Sequence, residues 1–134
     1  MMAGIRSKNT KPELLMRKAL HRLGFRYRLH DHKLPGKPDL VFPKYGSVLF
    51  VNGCFWHGHD CHLFKMPKTR TDFWRNKIET NRRRDATVRA QLDRLGIRHR
   101  TIWECDLKNR DIDHIDRIVH DCANWIEQGR NPQR

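Results

Sequence analysis

The sequence predicts a mixed α/β fold, a small mixed β-sheet flanked by helices, and three observations carry that expectation. Residues 10–24 and 71–95 show helical apolar spacing that ends at a glycine. Short apolar runs, "DLVF", "SVLFV" and "IRHRTIW", read as strands. Their order along the chain, α-β-β-β-α-β-α, implies helices packed against a mixed sheet. At 134 residues the chain is expected to be one domain spanning 1–134.

The first helix lies in "TKPELLMRKALHRLG". Thr10 supplies an N-cap, Glu13 follows three residues later as in a capping box, and Gly24 closes the helix. In "FRYRLH", Phe25, Tyr27 and Leu29 alternate with Arg26, Arg28 and His30, the pattern of a strand with one wet face. "KLPGKP" and "PKYG" are turns on either side of "DLVF", and "SVLFV" is the central strand. Residues 52–70 form a connection too long for a tight turn, a length at which loops carry function. A long helix runs from about Thr71 to Leu95, with Val88, Leu92 and Leu95 as its core stripe and Gly96 at its end. "IRHRTIW" is a further strand, "DIDHIDRIVHDCANWIEQ" a closing helix, and "EQGRNPQR" a frayed tail.

Hydrophobic residues make up 37% of the chain and charged residues 32%, which excludes a disordered polyelectrolyte. Lysine and arginine number 28 against 15 acidic residues, a net charge of +13 that points to a polyanionic partner, most simply nucleic acid. A membrane surface fits less well, because the basic residues are scattered and no amphipathic terminal helix accompanies them. The longest apolar run, "SVLFV", is far short of a membrane span, and the opening "MMAGIRSKNTK" does not read as a secretory signal. A cytoplasmic location is therefore expected, where four cysteines favour metal binding over disulfides.

"GCFWHGHDCH" concentrates the chemistry. Cys54, His59 and Cys61 can supply three zinc ligands from one loop, and Cys105 is the candidate fourth; Cys122 reads as a buried thiol inside the last helix. Zinc here would stiffen a loop without secondary structure. Phe55 and Trp56, between the ligands, read either as a wedge that enters stacked bases or as rings covering the metal. His57 is expected to face away from His59 on an extended path, free for proton transfer, and His62 to be exposed.

Asp39 begins a strand after a Pro-Gly turn, where a carboxylate can hold Mg²⁺ for phosphodiester hydrolysis or simply cap the turn. Glu13 is either the capping-box partner or an outer ligand of the same ion. Trp74, Lys77, Asn81 and Asp85 share one face of the long helix and suggest DNA contact, with Arg82, Arg83 and Arg84 adding phosphate attraction.

Taken together, "RSKNTKPE", "LPGKPDLVF", "GCFWHGHDCHLFKMPKTRTDFWRNKI", "NRRRD" and "IWEC" resemble, over nearly the whole chain, the very-short-patch repair (Vsr) DNA mismatch endonucleases. The resemblance implies a restriction-endonuclease-like fold with a structural zinc on Cys54, His59, Cys61 and Cys105. It implies a nick 5′ to the thymine of a T:G mismatch in double-stranded DNA, the lesion left by deamination of 5-methylcytosine. Mg²⁺ would sit on Asp39 with support from Glu13, and His57 would belong to the catalytic group. Phe55, Trp56 and Trp74 would enter the DNA beside the mismatch, with Arg70 of the "TRT" segment close by at the DNA. The protein would act as a monomer and cooperate with general mismatch-repair proteins.

One departure stands out. The family pattern has threonine and histidine before the zinc loop, where this chain has Val51 and Asn52. A magnesium contact through the main-chain carbonyl survives at Val51. Asn52 can position water or phosphate but cannot relay a proton. Nor does "SVLFVN" carry the Asp/Glu-x-Lys element of ordinary restriction enzymes. Two rival readings follow: a restriction-type or structure-specific nuclease with another target, and a zinc-stapled DNA-binding module without catalysis.

Overall fold

The computed structural model describes residues 9–129; the basic start of the chain (1–8) and the end of the tail (130–134) lie outside them. Helix α1 (Lys11–Arg22) starts where Thr10 Oγ1 accepts the Glu13 N–H at 3.4 Å, with proline in its first turn. Glu13 does not close a capping box on Thr10. Its Oε1 accepts the Asn9 N–H at 2.9 Å, and the carboxylate is buried beneath the helix.

Strand β1 is only Arg28–Leu29, followed by β2 (Leu40–Phe42), a single 3-10 turn over Pro43–Tyr45, and β3 (Ser47–Asn52). Helix α2 (Thr71–Arg94) crosses over to β4 (Arg98–Trp103), and a short α3 (Glu104–Leu107) leads to α4 (Ile112–Gln128). The strands lie in the order β1-β2-β3-β4. The first three are antiparallel, pairing Arg28 with Val41 and Leu40 with Leu49. β4 is parallel to β3, from Ser47 opposite Arg98 to Asn52 opposite Trp103, as a helical crossover requires.

Alternation along the strands builds two cores. Leu40, Phe42, Leu49 and Val51 face Met16 and Leu20 of α1 and Val119, Cys122 and Ile126 of α4. Val41, Val48 and Phe50 turn the other way, against Val88 and Leu92 of α2. The sheet is thus covered on both faces, which explains the nearly continuous apolar run of "SVLFV".

Several expectations need correction. Leu95 is not core: it is 61% exposed just past the last turn of α2, whereas Ile78, nearer the start, is buried. The strand expected over 25–30 keeps its alternation only through Arg28. Leu29 is exposed, and His30 adopts a left-handed backbone (φ 48°) that turns its ring inward. Tail residues expected to fray are helical to Gln128. Neither α3 nor the 3-10 turn was legible as regular structure in the sequence.

These assignments separate two leucines. Leu49→Ala should lower the unfolding free energy by about 2–5 kcal/mol, because it empties a fully buried central-strand position. Leu95→Ala should stay within about 0.5 kcal/mol. Urea midpoints of the metal-loaded protein measure both.

Candidate active site and metal centre

Strand directions bring the site together. β2 runs antiparallel to β1 and β3, so its start lies beside the ends of both neighbours. His30 follows β1, Asp39 precedes β2, and Val51 and Asn52 end β3, all at one end of the sheet; β4 ends there with Trp103, followed by Cys105.

Asp39 is buried, and its Oδ2 accepts the Val51 N–H at 2.7 Å. In a strand the N–H and C=O of one residue point to the same edge, so the Val51 carbonyl faces this side too. Glu13 Oε2 lies 2.7 Å from His30 Nε2 and 3.3 Å from Arg17 Nη1. Glu13, His30 and Asp39 can each offer a donor atom to one ion, with all three atoms within 4.8 Å of one another. Burial pushes the Asp39 carboxyl up to about 7; the Val51 N–H opposes this, and the adjoining Glu13 carboxylate adds to it. Two buried carboxylates side by side are a place for a cation.

His57 pairs with α2. Its Nδ1 lies 2.6 Å from Asp85 Oδ2. The path from Cys54 to Gly58 is a series of turns rather than the extended segment expected, closed by bonds from the Gly58 N–H to the Phe55 carbonyl and from the His59 N–H to the Cys54 carbonyl. Asn81 and Asp85, read from the sequence as DNA-facing, turn toward this loop. Asn81 Nδ2 donates to the Trp56 carbonyl at 2.9 Å, and the Arg82 guanidinium donates to the Gly58 carbonyl. Gly58 is needed there, since a Cβ would strike Arg82 and Ile78. Lys77 and Arg70 are exposed, as is His62.

Cys54, His59, Cys61 and Cys105 form the second donor cluster, again with ligand atoms within 4.8 Å of one another. The Cys105 Sγ to His59 Nδ1 distance is 3.5 Å, and donors around a tetrahedral ion of zinc's bond lengths lie about 3.6 Å apart. The set therefore fits such an ion. The Cys105 N–H donates to Cys54 Sγ at 3.4 Å, and the Cys54 N–H donates to Glu104 Oε1 at 3.3 Å. Burial pushes the Cys54 thiol up, so a cation must displace its proton. The His59 ring stacks on Trp103 at 4.0 Å and 8°.

The rings gather on one side of the loop. Phe55 contacts Trp56 at 5.4 Å, Phe64 at 6.0 Å and Trp74 at 5.7 Å between centroids; Trp56 meets Trp74 at 5.9 Å. Arg70 lies 4.3 Å over Phe73, which in turn abuts Trp74. Sequence reasoning missed His30, Phe64, Trp103 and Glu104 here. The available signal for His30 was the Pro-Gly turn that folds residue 30 back onto 39, where the His30 N–H donates to the Asp39 carbonyl at 3.1 Å.

Residues 1–63 match the family model described as DNA mismatch endonuclease Vsr. The "Type II nicking enzyme V.XorIIP" of Xanthomonas oryzae pv. oryzae is 50% identical over 109 residues, covering 81% of this chain and 80% of the relative. The chain belongs to the Vsr family of DNA endonucleases. The "Type II nicking enzyme V.NmeAIP" of Neisseria meningitidis serogroup A is 46% identical, with 94% of this chain and 91% of the relative covered. The "DNA mismatch endonuclease Vsr" of Escherichia coli is 39% identical, with 93% and 80% covered. The resemblance read from the motifs is thereby established. Among the described residues of this Vsr-family chain, no helix is long and apolar enough to cross a membrane.

The raised Asp39 carboxyl has a consequence for stability. Between 3.8 and about 7 the folded protein holds a proton that the unfolded chain has released. The stability this contributes is fully present below pH 4 and is lost as pH rises through 7. Asp39→Asn keeps an acceptor for the Val51 N–H and removes the penalty. Without added divalent cation, the variant should match wild type at pH 4. At pH 8 it should exceed wild type by up to about 4 kcal/mol in urea unfolding.

Proposed function

We propose that this protein is a Mg²⁺-dependent, zinc-stabilised endonuclease that nicks duplex DNA 5′ to the thymine of a T:G mismatch, as left by deamination of 5-methylcytosine. In this reading it works as a single-domain cytoplasmic monomer of restriction-endonuclease-like fold, handing its nick to general repair proteins. The observation that carries the reading is the convergence, at one end of the sheet, of a buried carboxylate pair, a carboxylate-held histidine and a cluster of large rings.

Asp39, Glu13 and the Val51 carbonyl would hold the magnesium ion. When bound, that ion polarises the scissile phosphate and makes water a stronger nucleophile. His57, its Nδ1 engaged by Asp85, keeps Nε2 to deliver a proton to the leaving 3′ oxygen. Asn52, at the end of β3, positions water or phosphate and leaves proton transfer to His57. Arg70 and Lys77 attract phosphates. Phe55, Trp56 and Trp74 open the stack, and a wobble pair costs less to open than a Watson–Crick pair. Asn81 acts through the Trp56 carbonyl, holding the wedge rather than reading bases. Cys54, His59, Cys61 and Cys105 would hold zinc and fix the loop from which the wedge projects.

A second reading, a nicking or restriction-type enzyme with a different target, is favoured by Val51 and Asn52 and by the relatives named as nicking enzymes. A strand-resolved assay on a duplex with one T:G pair, beside T:A and C:G controls, separates the two. The proposal expects a Mg²⁺-dependent nick on the thymine strand that Asp39→Ala abolishes. His57→Ala should lower kcat by about 10²–10⁴-fold, and Asp85→Asn should shift the pH profile with a smaller loss. Equal cleavage of all three duplexes would favour the second reading. Salt-sensitive binding without cleavage would leave only a DNA-binding module.

Zinc analysis should find one ion per chain. Cys105→Ser should reduce that occupancy and alter tryptophan emission through the Trp103–His59 stack; full occupancy in the variant would remove Cys105 from the ligand set.

A further inference from the structure

We propose that His30 is a direct nitrogen ligand of the divalent cation held by Glu13 and Asp39, so that this centre binds a first-row transition cation such as Mn²⁺ more tightly than Mg²⁺. The inference rests on the nuclease reading above and adds to it a residue and a metal preference. Its first support is position. The left-handed backbone at residue 30 and the bond from its N–H to the Asp39 carbonyl turn the ring into the carboxylate pocket instead of leaving it on the wet side of β1.

Nε2 then stands 2.7 Å from Glu13 Oε2 and 3.9 Å from Asp39 Oδ1. Neighbouring donors on a six-coordinate ion with bonds of about 2.1 Å lie about 3 Å apart, between those two values. A histidine serving only as a tether for α1 needs the Glu13 contact and nothing more. Here the same nitrogen also faces Asp39 Oδ1, the carboxylate oxygen that the Val51 N–H does not engage. On metal binding the Nε2 proton is released to solvent, and the freed lone pair replaces the hydrogen bond to Glu13 with a bond to the ion. Mg²⁺ favours oxygen donors and its own waters, whereas an imidazole in the donor set shifts preference toward later divalent ions.

The test uses the full, zinc-loaded chain with Mn²⁺ as the probe. Pulsed electron paramagnetic resonance reads ¹⁴N coupling to the bound ion, and titrations give affinities for Mn²⁺ and Mg²⁺. Wild type should show ¹⁴N coupling that His30→Gln loses. The same substitution should weaken Mn²⁺ binding by about tenfold or more, and Mg²⁺ binding by clearly less. Retained zinc and unchanged circular dichroism establish that the variant is folded, and the wild-type spectrum stands without it. Mn²⁺ binding that Asp39→Asn abolishes, but without ¹⁴N coupling or with coupling that survives His30→Gln, would overturn the inference and leave the nuclease reading intact. Mn²⁺ binding indifferent to Asp39→Asn would overturn both.

Discussion

The bond from the Val51 N–H to the Asp39 carboxylate ties the chemistry of this chain to its sheet. It fixes an acid at the start of β2 against the last residues of β3, immediately before the loop that carries His57, His59, Phe55 and Trp56. A buried carboxylate with one main-chain donor is under-compensated, and the Glu13 carboxylate beside it makes the deficit larger. Such a pair survives because the surrounding cores determine its position: Met16 and Leu20 seat α1 on the same sheet face as Val51. Local destabilisation at a candidate functional position is thus supported by packing elsewhere.

The loop after β3 has a different problem, a backbone without helix or strand to satisfy it. Three kinds of bond hold it. The Cys/His cluster ties it to α3 through Cys105, the His59–Trp103 stack fixes it on β4, and Asn81 and Arg82 of α2 grip its carbonyls. α2 therefore acts as a splint along the loop. Its long, basic and poorly apolar sequence makes sense on those terms: only Ile78 and Leu92 are buried, and much of the rest faces solvent or the loop.

Much of this was legible in the sequence because it depended on local rules. Helix caps at Thr10 and Gly24, period-two alternation in "SVLFV", and the Cys-x4-His-x-Cys spacing each involve residues within one element. Contacts set by topology were not legible. His30 looked like a wet-face residue because alternation was extended two positions too far, onto a left-handed backbone at residue 30 that no apolar pattern announces. Asn81 and Asp85 were correctly placed on a common helix face, but a face has no address until the chain folds; theirs proved to be the loop. Leu95 followed the helical period yet sits beyond the last turn, where no partner surface remains.

The ring cluster bears on how selectivity would arise in the proposed reaction. Phe55, Trp56, Phe64 and Trp74 already pack on one another, and each such pair contributes about 0.5–1.5 kcal/mol beyond its buried area. Moving rings into DNA exchanges these contacts for stacking on bases, about 1–3 kcal/mol per base. Loss and gain are of similar size, so the protein supplies little net drive toward insertion by itself. The balance then falls to the DNA: the cost of opening the pair decides whether the rings enter. A wedge that packed poorly when free would enter any duplex; one satisfied in its own cluster enters only where the duplex yields.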